Sequence, residues 1–261
     1  MPSLGKLFRT VQSELYFLKE EKDAAYYYGR KLTRQPHEPE FRALRFVPDS
    51  LPGCYLDVGA NHGQSVESIK LFQKKAIIHC YEANPLLAEK LQRRYAGRSD
   101  IRVMAYGLAD QKQSRPLYVP VYKKFVYDGL ASFDRDHASH WLSPETLYGF
   151  SLDHLQLKET FCTTERLDDL GMDPIFIKIV VQGFQYQVIR GGIETIRQFE
   201  PILMIQAFQG QPALIQLLEG LGYQQYLFDD HGFYKADSSG VLNTILMTPR
   251  RAAEVTRSRN R

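Results

Sequence analysis

The stretch Tyr55-Leu-Asp-Val-Gly-Ala-Asn-His-Gly63 decides the fold. Its first four residues have the character of a buried strand, and Gly59 and Gly63 bound a turn from which a helix opens at about Gln64. Glycine suits both ends because the backbone must turn sharply and let a ligand approach without a Cβ in the way. The helix N-terminus beyond the turn presents free N–H groups. The stretch therefore predicts a strand–turn–helix unit that holds a ligand.

Outward from this unit, short apolar runs alternate with amphipathic stretches, as is typical of strands and helices exchanging around a parallel sheet. Strands are predicted over Cys54–Val58, Ala76–Tyr81, Ile101–Tyr106, Ile175–Val180, Ile202–Ile205, Tyr226–Phe228 and Asn243–Met247. Helices are predicted over Ser65–Gln73, Leu86–Tyr95, Gln185–Gly191, Ile193–Gln198 and Pro212–Leu221. The predicted fold class is α/β, a Rossmann-like, doubly wound sheet of seven strands with helices on both faces.

Segments outside this pattern divide the chain further. Residues 1–50 are predicted as an N-terminal helical extension, with a helix from Leu4 to about Leu32. Residues 51–249 form the α/β domain. An aromatic-rich insertion at about 117–160 interrupts it, either as a substrate-facing segment or as a surface excursion with its own small hydrophobic cluster. Residues 250–261 form a basic tail, which is expected to be frayed and solvated.

Composition and charge restrict the classes of function. With 44% hydrophobic and 24% charged residues, the chain can bury a sizeable core. The net charge is only +3 and no basic stripe is interleaved with aromatic residues, so a nucleic-acid substrate is not expected. Three cysteines without metal-ligand spacing fit a reducing compartment, and no metal site is predicted. No run reaches the roughly 18 apolar residues of a membrane span, so a cytoplasmic protein is expected.

Two acidic residues complete the predicted ligand site. Asp57 lies inside an apolar strand, where a carboxylate is costly unless it accepts hydrogen bonds, so it is predicted to hold the glycine turn, directly or through a water near the ligand. Glu82 follows the second strand about twenty residues beyond the turn, where an acid can accept both hydroxyls of a ribose. The alternative is a strand–turn–helix unit with an incidental acid.

The glycine pattern discriminates between two nucleoside cofactors. Dinucleotide-binding enzymes use three glycines as G-x-G-x-x-G, whereas Gly59-Ala-Asn-His-Gly63 has no third glycine at the helix-packing position. This pattern favours S-adenosylmethionine over NAD. An NAD-dependent oxidoreductase is kept as a remote alternative because it uses the same fold.

Five ordered segments carry a resemblance to a known family. They are Leu56-Asp-Val-Gly-Ala-Asn-His-Gly63, Tyr81-Glu-Ala-Asn-Pro85, Tyr106-Gly-Leu-Ala-Asp110, Thr164-Glu-Arg-Leu-Asp-Asp-Leu170 and Phe176-Ile-Lys-Ile-Val-Val-Gln-Gly183, the last running on to Val188-Ile-Arg-Gly-Gly192. Together they resemble the FkbM-type family of S-adenosylmethionine-dependent methyltransferases. The resemblance implies a class I methyltransferase sheet, S-adenosyl-L-methionine as cofactor, and O-methyl transfer to a hydroxyl of a sugar, polysaccharide or secondary metabolite. It leaves a homodimer open.

Cofactor contacts are predicted at seven residues on the basis of this resemblance and of the two acids. Asp110 follows the third strand and is expected nearer the adenine. The full set is Asp57, Gly59, Asn61, Gly63, Glu82, Asn84 and Asp110.

The chain departs from the family where acids are usual. Lys178-Ile-Val-Val-Gln-Gly183 stands where the family usually has Lys-Ile-Asp-Val-Glu-Gly, so Val180 replaces an aspartate, and Gln185 and Gln206 occupy common glutamate positions. Valine can neither accept a proton nor ligate a cation, and an amide is a weaker magnesium ligand than a carboxylate. If methyl transfer depends on these acids, it is expected to be slow or lost. A cofactor-binding protein with weakened or lost catalysis is therefore the alternative.

The remaining catalytic candidates are Lys178, Gln206 and His140. Lys178 could orient or polarise an acceptor, although a lysine at a strand end is more often a salt-bridge partner. Among the histidines, His62 lies in the turn, and His137 and His140 lie in the insertion. Each is more often structural or exposed than catalytic at such a position.

Overall fold

The computed structural model describes residues 4–15, 17, 29, 33–237 and 240–257. Within the N-terminal extension, Leu4–Glu14 forms helix α1, and Pro39–Phe46 forms a 3-10 segment whose Phe41 and Leu44 enter the core. Most of the rest of the helix predicted to reach Leu32 lies outside the described residues.

The described residues form a large sheet of eight strands and a small sheet of four. In chain order the strands are β1 (Cys54–Val58), β2 (Ile78–Tyr81), β3 (Ile101–Met104), β4 (Gly107–Leu108), β5 (Gln113–Tyr122), β6 (Phe125–Val126), β7 (Leu155–Glu165), β8 (Pro174–Ile179), β9 (Ile202–Gln206), β10 (Gln224–Asp229), β11 (Gly232–Lys235) and β12 (Asn243–Met247). The small sheet has the order β4-β7-β5-β6 and lies within and beside the predicted insertion.

The large sheet has the order β11-β10-β12-β9-β8-β1-β2-β3. Strands β3, β2, β1, β8 and β9 run parallel, and β12 enters antiparallel to both β9 and β10. The predicted Rossmann-like α/β sheet is confirmed, with all seven predicted strands in it. The eighth strand, β11, was not predicted. It pairs with β10 at the edge, and its Tyr234 is 46% exposed, so no buried apolar run marks it in the sequence.

Helices cover both faces of the large sheet, as predicted. After α1 they are α2 (Gln64–Phe72), α3 (Pro85–Arg94), α4 (Arg135–His140), α5 (Gln185–Arg190), α6 (Ile193–Phe199), α7 (Pro212–Gly220) and α8 (Pro249–Arg257). One core joins the sheet to α2, α3, α8 and the 3-10 segment, and a second core joins the other face to α5, α6 and α7. None of the helices in the described part of the chain is long and apolar enough to span a membrane.

The insertion is more regular than the sequence indicates. Strands β5 and β7 pair antiparallel through ten registered positions, from Gln113 opposite Thr164 to Tyr122 opposite Leu155. Pro116 and Pro120 lie inside β5, and proline is usually read as a strand breaker, which hid this strand in the sequence. Residues of β5, β6 and the following segment form a separate small core, as one of the two sequence alternatives expected.

The basic tail is corrected by helix α8. Pro249–Arg257 is helical, and Arg251 is only 7% exposed. The expectation of a frayed, solvated terminus is therefore wrong for residues 250–257, and residues 258–261 lie outside the described part of the chain. The helix forms because Val255 packs into the core while Arg251 reaches the end of α6.

Candidate functional site

The glycine turn joins β1 to α2 at the carboxyl edge of the large sheet. Gly59 and Gly63 have φ values of 76° and 81°, a backbone conformation that favours glycine. A Cβ on Gly59 would lie 2.0 Å from the Val180 carbonyl oxygen, and one on Gly63 would lie 2.6 Å from the Tyr95 hydroxyl oxygen. The Val180 backbone therefore requires glycine at position 59, and the left-handed φ at position 63 favours glycine there, as expected for the turn.

Asp57 and Lys178 form a buried ion pair beneath this turn. Asp57 Oδ1 lies 2.9 Å from Lys178 Nζ, and the two side chains are 0% and 5% exposed. Lys178 Nζ also donates to the Gly59 carbonyl oxygen at 2.7 Å. Asp57 thus holds the turn through Lys178. The ammonium contacts these two partners and the Val58 carbonyl oxygen below the turn, and a catalytic role of Lys178 stays a prediction.

Glu82 is held at the end of β2 by backbone donors. Its Oε2 accepts from the Asn61 N–H at 2.7 Å, and its Oε1 accepts from the Asn84 N–H at 2.9 Å. Burial raises the pKa of the Glu82 carboxyl, and the two N–H groups oppose part of that rise. Each carboxylate oxygen keeps a further lone pair, so Glu82 can still accept two hydroxyls from a ligand.

Asn84 and Asp110 have local roles. Asn84 Oδ1 accepts from the Leu86 N–H at 3.1 Å and so caps α3, while its own N–H orients Glu82. Asp110 Oδ2 lies 3.3 Å from a guanidinium nitrogen of Arg190, the last residue of α5. Neither residue lines the pocket described next, and their direct contacts with a cofactor stay predictions.

A pocket opens beyond the ends of β1, β2 and β8. Gly59, Asn61 and Glu82 line it on the predicted cofactor side. The opposite wall is formed by the segment after β8, which includes Val180 and Gln182, and by residues of the insertion between 128 and 133. The pocket thus gathers three of the predicted cofactor residues, and Asp57 and Gly63 support it from below and from α2.

Two residues that line the pocket, Asn61 and Tyr81, each carry a buried polar atom without a hydrogen-bond partner in the described part of the chain. Buried polar atoms are nearly always satisfied in folded proteins, because an unsatisfied one costs free energy. The Tyr81 ring packs in the core that includes Cys54 and Leu108. The Asn61 side-chain oxygen, on the residue whose N–H bonds Glu82, suits a ligand that brings its own hydroxyl or amino group.

The other catalytic candidates lie away from this pocket. Gln206 ends β9, and its backbone carbonyl accepts from Gln185 Nε2 at 3.1 Å. His140 is exposed at the end of α4, with Nδ1 2.6 Å from the Asp136 carbonyl oxygen. Neither Gln206 nor His140 lines the pocket that holds the glycine turn and Glu82, and their catalytic roles stay predictions.

Sequence reasoning missed two carboxylates at the same sheet edge. Glu38 Oε2 and Glu40 Oε2 accept from Asn243 Nδ2 at 2.9 and 3.3 Å, and Asn243 is registered opposite Gln206 where β12 begins. Burial raises the pKa of Glu38, Lys178 lowers it and Glu40 raises it further. Nothing in the proline-rich connection before β1 indicates that it returns to the strand ends, so the sequence carries no signal for Glu38.

Asp128 was also missed. It lines the pocket from the insertion, and its Oδ1 lies 3.4 Å from His62 Nε2 in the glycine turn. Among the residues that the structure describes, no group of three or more His, Cys, Asp or Glu side chains is placed to hold a metal ion.

The family model of the methyltransferase FkbM domain matches residues 57–225. The chain belongs to the FkbM methyltransferase family. The match covers the glycine turn, Glu82, the small sheet and strands β2, β3, β8 and β9 of the large sheet, so the FkbM domain includes every wall of the pocket. The comparisons give no sign of an oxidoreductase. No curated protein matches this chain.

Solved structures of methyltransferases are similar to this FkbM chain. A methyltransferase FkbM from Methylobacillus flagellatus KT aligns with a TM-score of 0.48 and 17% identity, over 84% of this chain and 52% of that one. The chain therefore spans about half the length of that protein. A 1,6-didemethyltoxoflavin-N1-methyltransferase from Burkholderia thailandensis, solved with S-adenosylhomocysteine bound, aligns with a TM-score of 0.35 and 11% identity, over 95% and 90% of the two chains.

Proposed function

We propose that this chain is an S-adenosylmethionine-dependent methyltransferase that methylates a hydroxyl of a sugar, polysaccharide or secondary metabolite. The observation that carries the proposal is Glu82, a buried carboxylate that two backbone N–H groups aim into the pocket beside the glycine turn. We assign the activity to residues 51–249, with residues 1–50 as an extension and 250–261 as an added C-terminal segment.

The residues of the pocket fit a nucleoside cofactor. Glu82 would accept the two ribose hydroxyls, and the unpartnered Asn61 Oδ1 supplies a further acceptor in the same pocket. Gly59 and the Lys178–Asp57 pair would hold the turn rigid beneath the ligand. When bound, S-adenosylmethionine supplies a methyl group on a sulfonium, and the protein has to orient an acceptor oxygen in line with it.

We assign Glu38 as the carboxylate that takes the proton from the acceptor hydroxyl. The family's usual acids are absent at positions 180, 185 and 206, and Glu38 reaches the same carboxyl edge from the 3-10 segment. Adjacent strands lie about 4.8 Å apart, and β12 is three strands from β1, so Asn243 is roughly 15 Å from β1. A cofactor and an acceptor bound side by side can fill that distance. A partly desolvated carboxylate with a raised pKa is better matched to proton transfer near neutrality than an exposed one.

Calorimetric titration with S-adenosylhomocysteine tests the cofactor assignment. Wild-type protein should bind it, and Glu82→Gln should weaken binding by about tenfold or more, because an amide presents only one acceptor atom and the second hydroxyl loses its partner. Glu194→Gln is the matched control, since Glu194 is exposed and pairs only with Arg197 on α6 in the described contacts. Wild-type protein that binds neither S-adenosylhomocysteine nor S-adenosylmethionine would contradict the proposal.

A cofactor-binding protein with weakened or lost catalysis is the second candidate. Val180 favours it, because this side chain lines the pocket where the family usually has an aspartate. Transfer of a labelled methyl group from S-adenosylmethionine to a panel of sugars and polyols separates the two candidates. Turnover that Glu38→Gln abolishes while binding persists supports the enzyme, whereas binding with no transfer to any acceptor of the panel supports the second candidate.

A further inference from the structure

A short piece of the insertion forms one wall of the pocket. The residues 128–132, which we term the cover, follow β6 and reach across from the small sheet to the glycine turn. Asp128, Gly129, Ala131 and Ser132 of the cover all line the pocket. The cover is therefore placed between the predicted cofactor site and the insertion.

Two backbone hydrogen bonds between Ser132 and Tyr118 anchor the end of the cover to β5, and side-chain contacts hold it against the pocket. Gln182 Nε2 donates to the Gly129 carbonyl oxygen at 3.0 Å, and Ser132 Oγ donates to the Gln182 carbonyl oxygen at 2.9 Å. At the other end, Asp128 Oδ1 lies 3.4 Å from His62 Nε2. Gln182 thus fastens the cover twice, once through its side chain and once through its backbone.

The backbone of Gln182 is arranged for this double contact. Its φ is 38°, in the left-handed region that residues other than glycine adopt infrequently. The conformation costs free energy, and the two contacts to the cover offset part of that cost. Gly183 follows with a φ of 86°, so the chain turns sharply away after Gln182 has reached the cover.

With the cover in this position, the pocket is too small for a nucleoside. Its cavity volume is about 70 Å³, whereas sites for cofactor-sized ligands are roughly 300 Å³ or larger. The strands and the glycine turn belong to the large sheet and its core, so they resist displacement. Ser132 at one end of the cover is bonded to the backbone of Tyr118 on β5 and stays anchored to the small sheet. Residues 128–131 reach the glycine turn and Gln182 through side-chain contacts, so they are the part of the wall that can move at the lowest cost.

We propose that the cover is a gate over the cofactor site and that Gln182 is the positioning residue that fastens it. This inference rests on the proposed function, since it requires S-adenosylmethionine or its product to occupy the pocket. Cofactor entry and product release would break the contacts of Gln182 and Asp128, and closure around the bound ligand would restore them. Dissociation of the product would therefore be slow while Gln182 is intact.

Gln182→Glu tests the gate with almost no change in shape. The carboxylate has no N–H to donate, and it would face the Gly129 carbonyl oxygen as a second acceptor, so the fastening is lost and replaced by repulsion. We expect tritiated S-adenosylhomocysteine, chased with unlabelled ligand, to dissociate about tenfold faster from the variant than from wild type. Gln211→Glu is the matched control, because Gln211 Nε2 also donates to a backbone carbonyl, that of Ala207, away from the pocket.

Asp128→Asn provides a second variant. It retains the side-chain volume but replaces the carboxylate that faces His62 Nε2 with an amide, a weaker acceptor, and we expect a faster dissociation of about two- to fivefold. Thermal unfolding of each variant identifies any that fails to fold. Equal dissociation rates for wild type and every folded cover variant would overturn the gate, even if binding itself is normal. A wild-type protein that binds no ligand would instead overturn the proposed function, and the gate with it.

Discussion

At the scale of single residues, the Asp57–Lys178 pair carries the glycine turn. Both side chains are almost fully buried, and Lys178 connects the carboxylate to the Gly59 carbonyl oxygen. A buried ion pair is weak evidence of net stabilisation, because desolvation opposes the attraction, but removing one partner leaves an uncompensated buried charge. The pair should therefore be sensitive to either single substitution.

Asp57→Asn and Lys178→Met should each lower the free energy of unfolding by about 3–5 kcal/mol. The double variant should lose less than the sum of the two, with a coupling of about 2 kcal/mol, because neither charge is then left alone. Urea denaturation of the four proteins measures this cycle. Glu194→Gln, in an exposed pair with Arg197, should cost less than about 1 kcal/mol. A Lys178→Met protein that is as stable as wild type but has lost methyl transfer would contradict a purely structural role for Lys178 and support a catalytic one.

Glu38 should give stability a characteristic pH dependence. Its pKa is raised in the folded state, chiefly by burial, so the folded protein binds this proton more tightly than the unfolded chain. The resulting stabilisation is complete below the unfolded value of about 4.5, and it is lost as pH rises through the higher folded pKa. Glu38→Gln removes this contribution to the pH dependence of the unfolding free energy, while its amide oxygen can still accept a hydrogen bond from Asn243.

Urea denaturation between pH 4 and pH 8 measures how the unfolding free energy changes with pH. The difference in unfolding free energy between Glu38→Gln and wild type should move in favour of the variant as pH rises. Glu194→Gln serves as the exposed control in the same series. A difference that stays constant over the whole range would show that Glu38 titrates alike in the folded and unfolded states.

At the scale of elements, helix α8 closes the end of α6. Arg251 Nε and one of its terminal nitrogens donate to the carbonyl oxygens of Glu200 and Phe199, at 2.9 and 2.6 Å, and its other terminal nitrogen pairs with Glu254 at 2.6 Å. These carbonyls belong to the C-terminal end of a helix, where cations are favoured. A segment that composition assigns to a solvated tail therefore completes the structure of a neighbouring helix.

Arg251→Met should lower the free energy of unfolding by about 2–3 kcal/mol, because charged hydrogen bonds to buried carbonyls are lost. Arg250→Met is the matched control one residue away. The Arg250 side chain is 54% exposed, against 9% for Arg251, so its loss should cost less than about 1 kcal/mol. Chemical denaturation compares the two variants, and equal losses would mean that burial of Arg251 contributes nothing.

At the scale of the whole molecule, the small sheet has a core of its own. Tyr122, Phe125, Tyr127, Leu142 and Leu147 form a cluster that is separate from the two cores of the large sheet. Helix α1 adds to it through polar contacts, including the Ser13 hydroxyl 2.6 Å from the Tyr127 hydroxyl. Because the cover continues from the strands of this sheet, we expect the cover to leave the pocket through local opening of the small sheet.

Leu142→Ala should raise amide hydrogen exchange across about residues 113–155 while it leaves β1 and β8 protected. Leu56→Ala is the comparison, because Leu56 lies in the core of the large sheet and its truncation should destabilise the molecule as a whole by about 2–5 kcal/mol. Mass-spectrometric exchange on both variants distinguishes the two behaviours. Equal loss of protection in β1 and β5 after Leu142→Ala would show that the sheets unfold together.

Features that depend on neighbours along the chain are predictable from the amino-acid sequence. The strand, turn and helix around Gly59, the acid after the second strand and the family membership all follow from local patterns. Hydrophobic periodicity and glycine positions are legible within about ten to twenty residues. For the same reason the strands β1 and β12 were predicted to the residue.

Contacts between distant segments depend on how the folded elements pack together. Lys178 meets the Gly59 carbonyl 119 residues away, and Glu38 meets Asn243 at a separation of 205. Gln182 reaches Gly129 across 53 residues, and no local pattern records that meeting. Side chains such as these acquire their roles from the packing of separate elements, because burial and partner distance set the charge state and hydrogen bonding of a polar group.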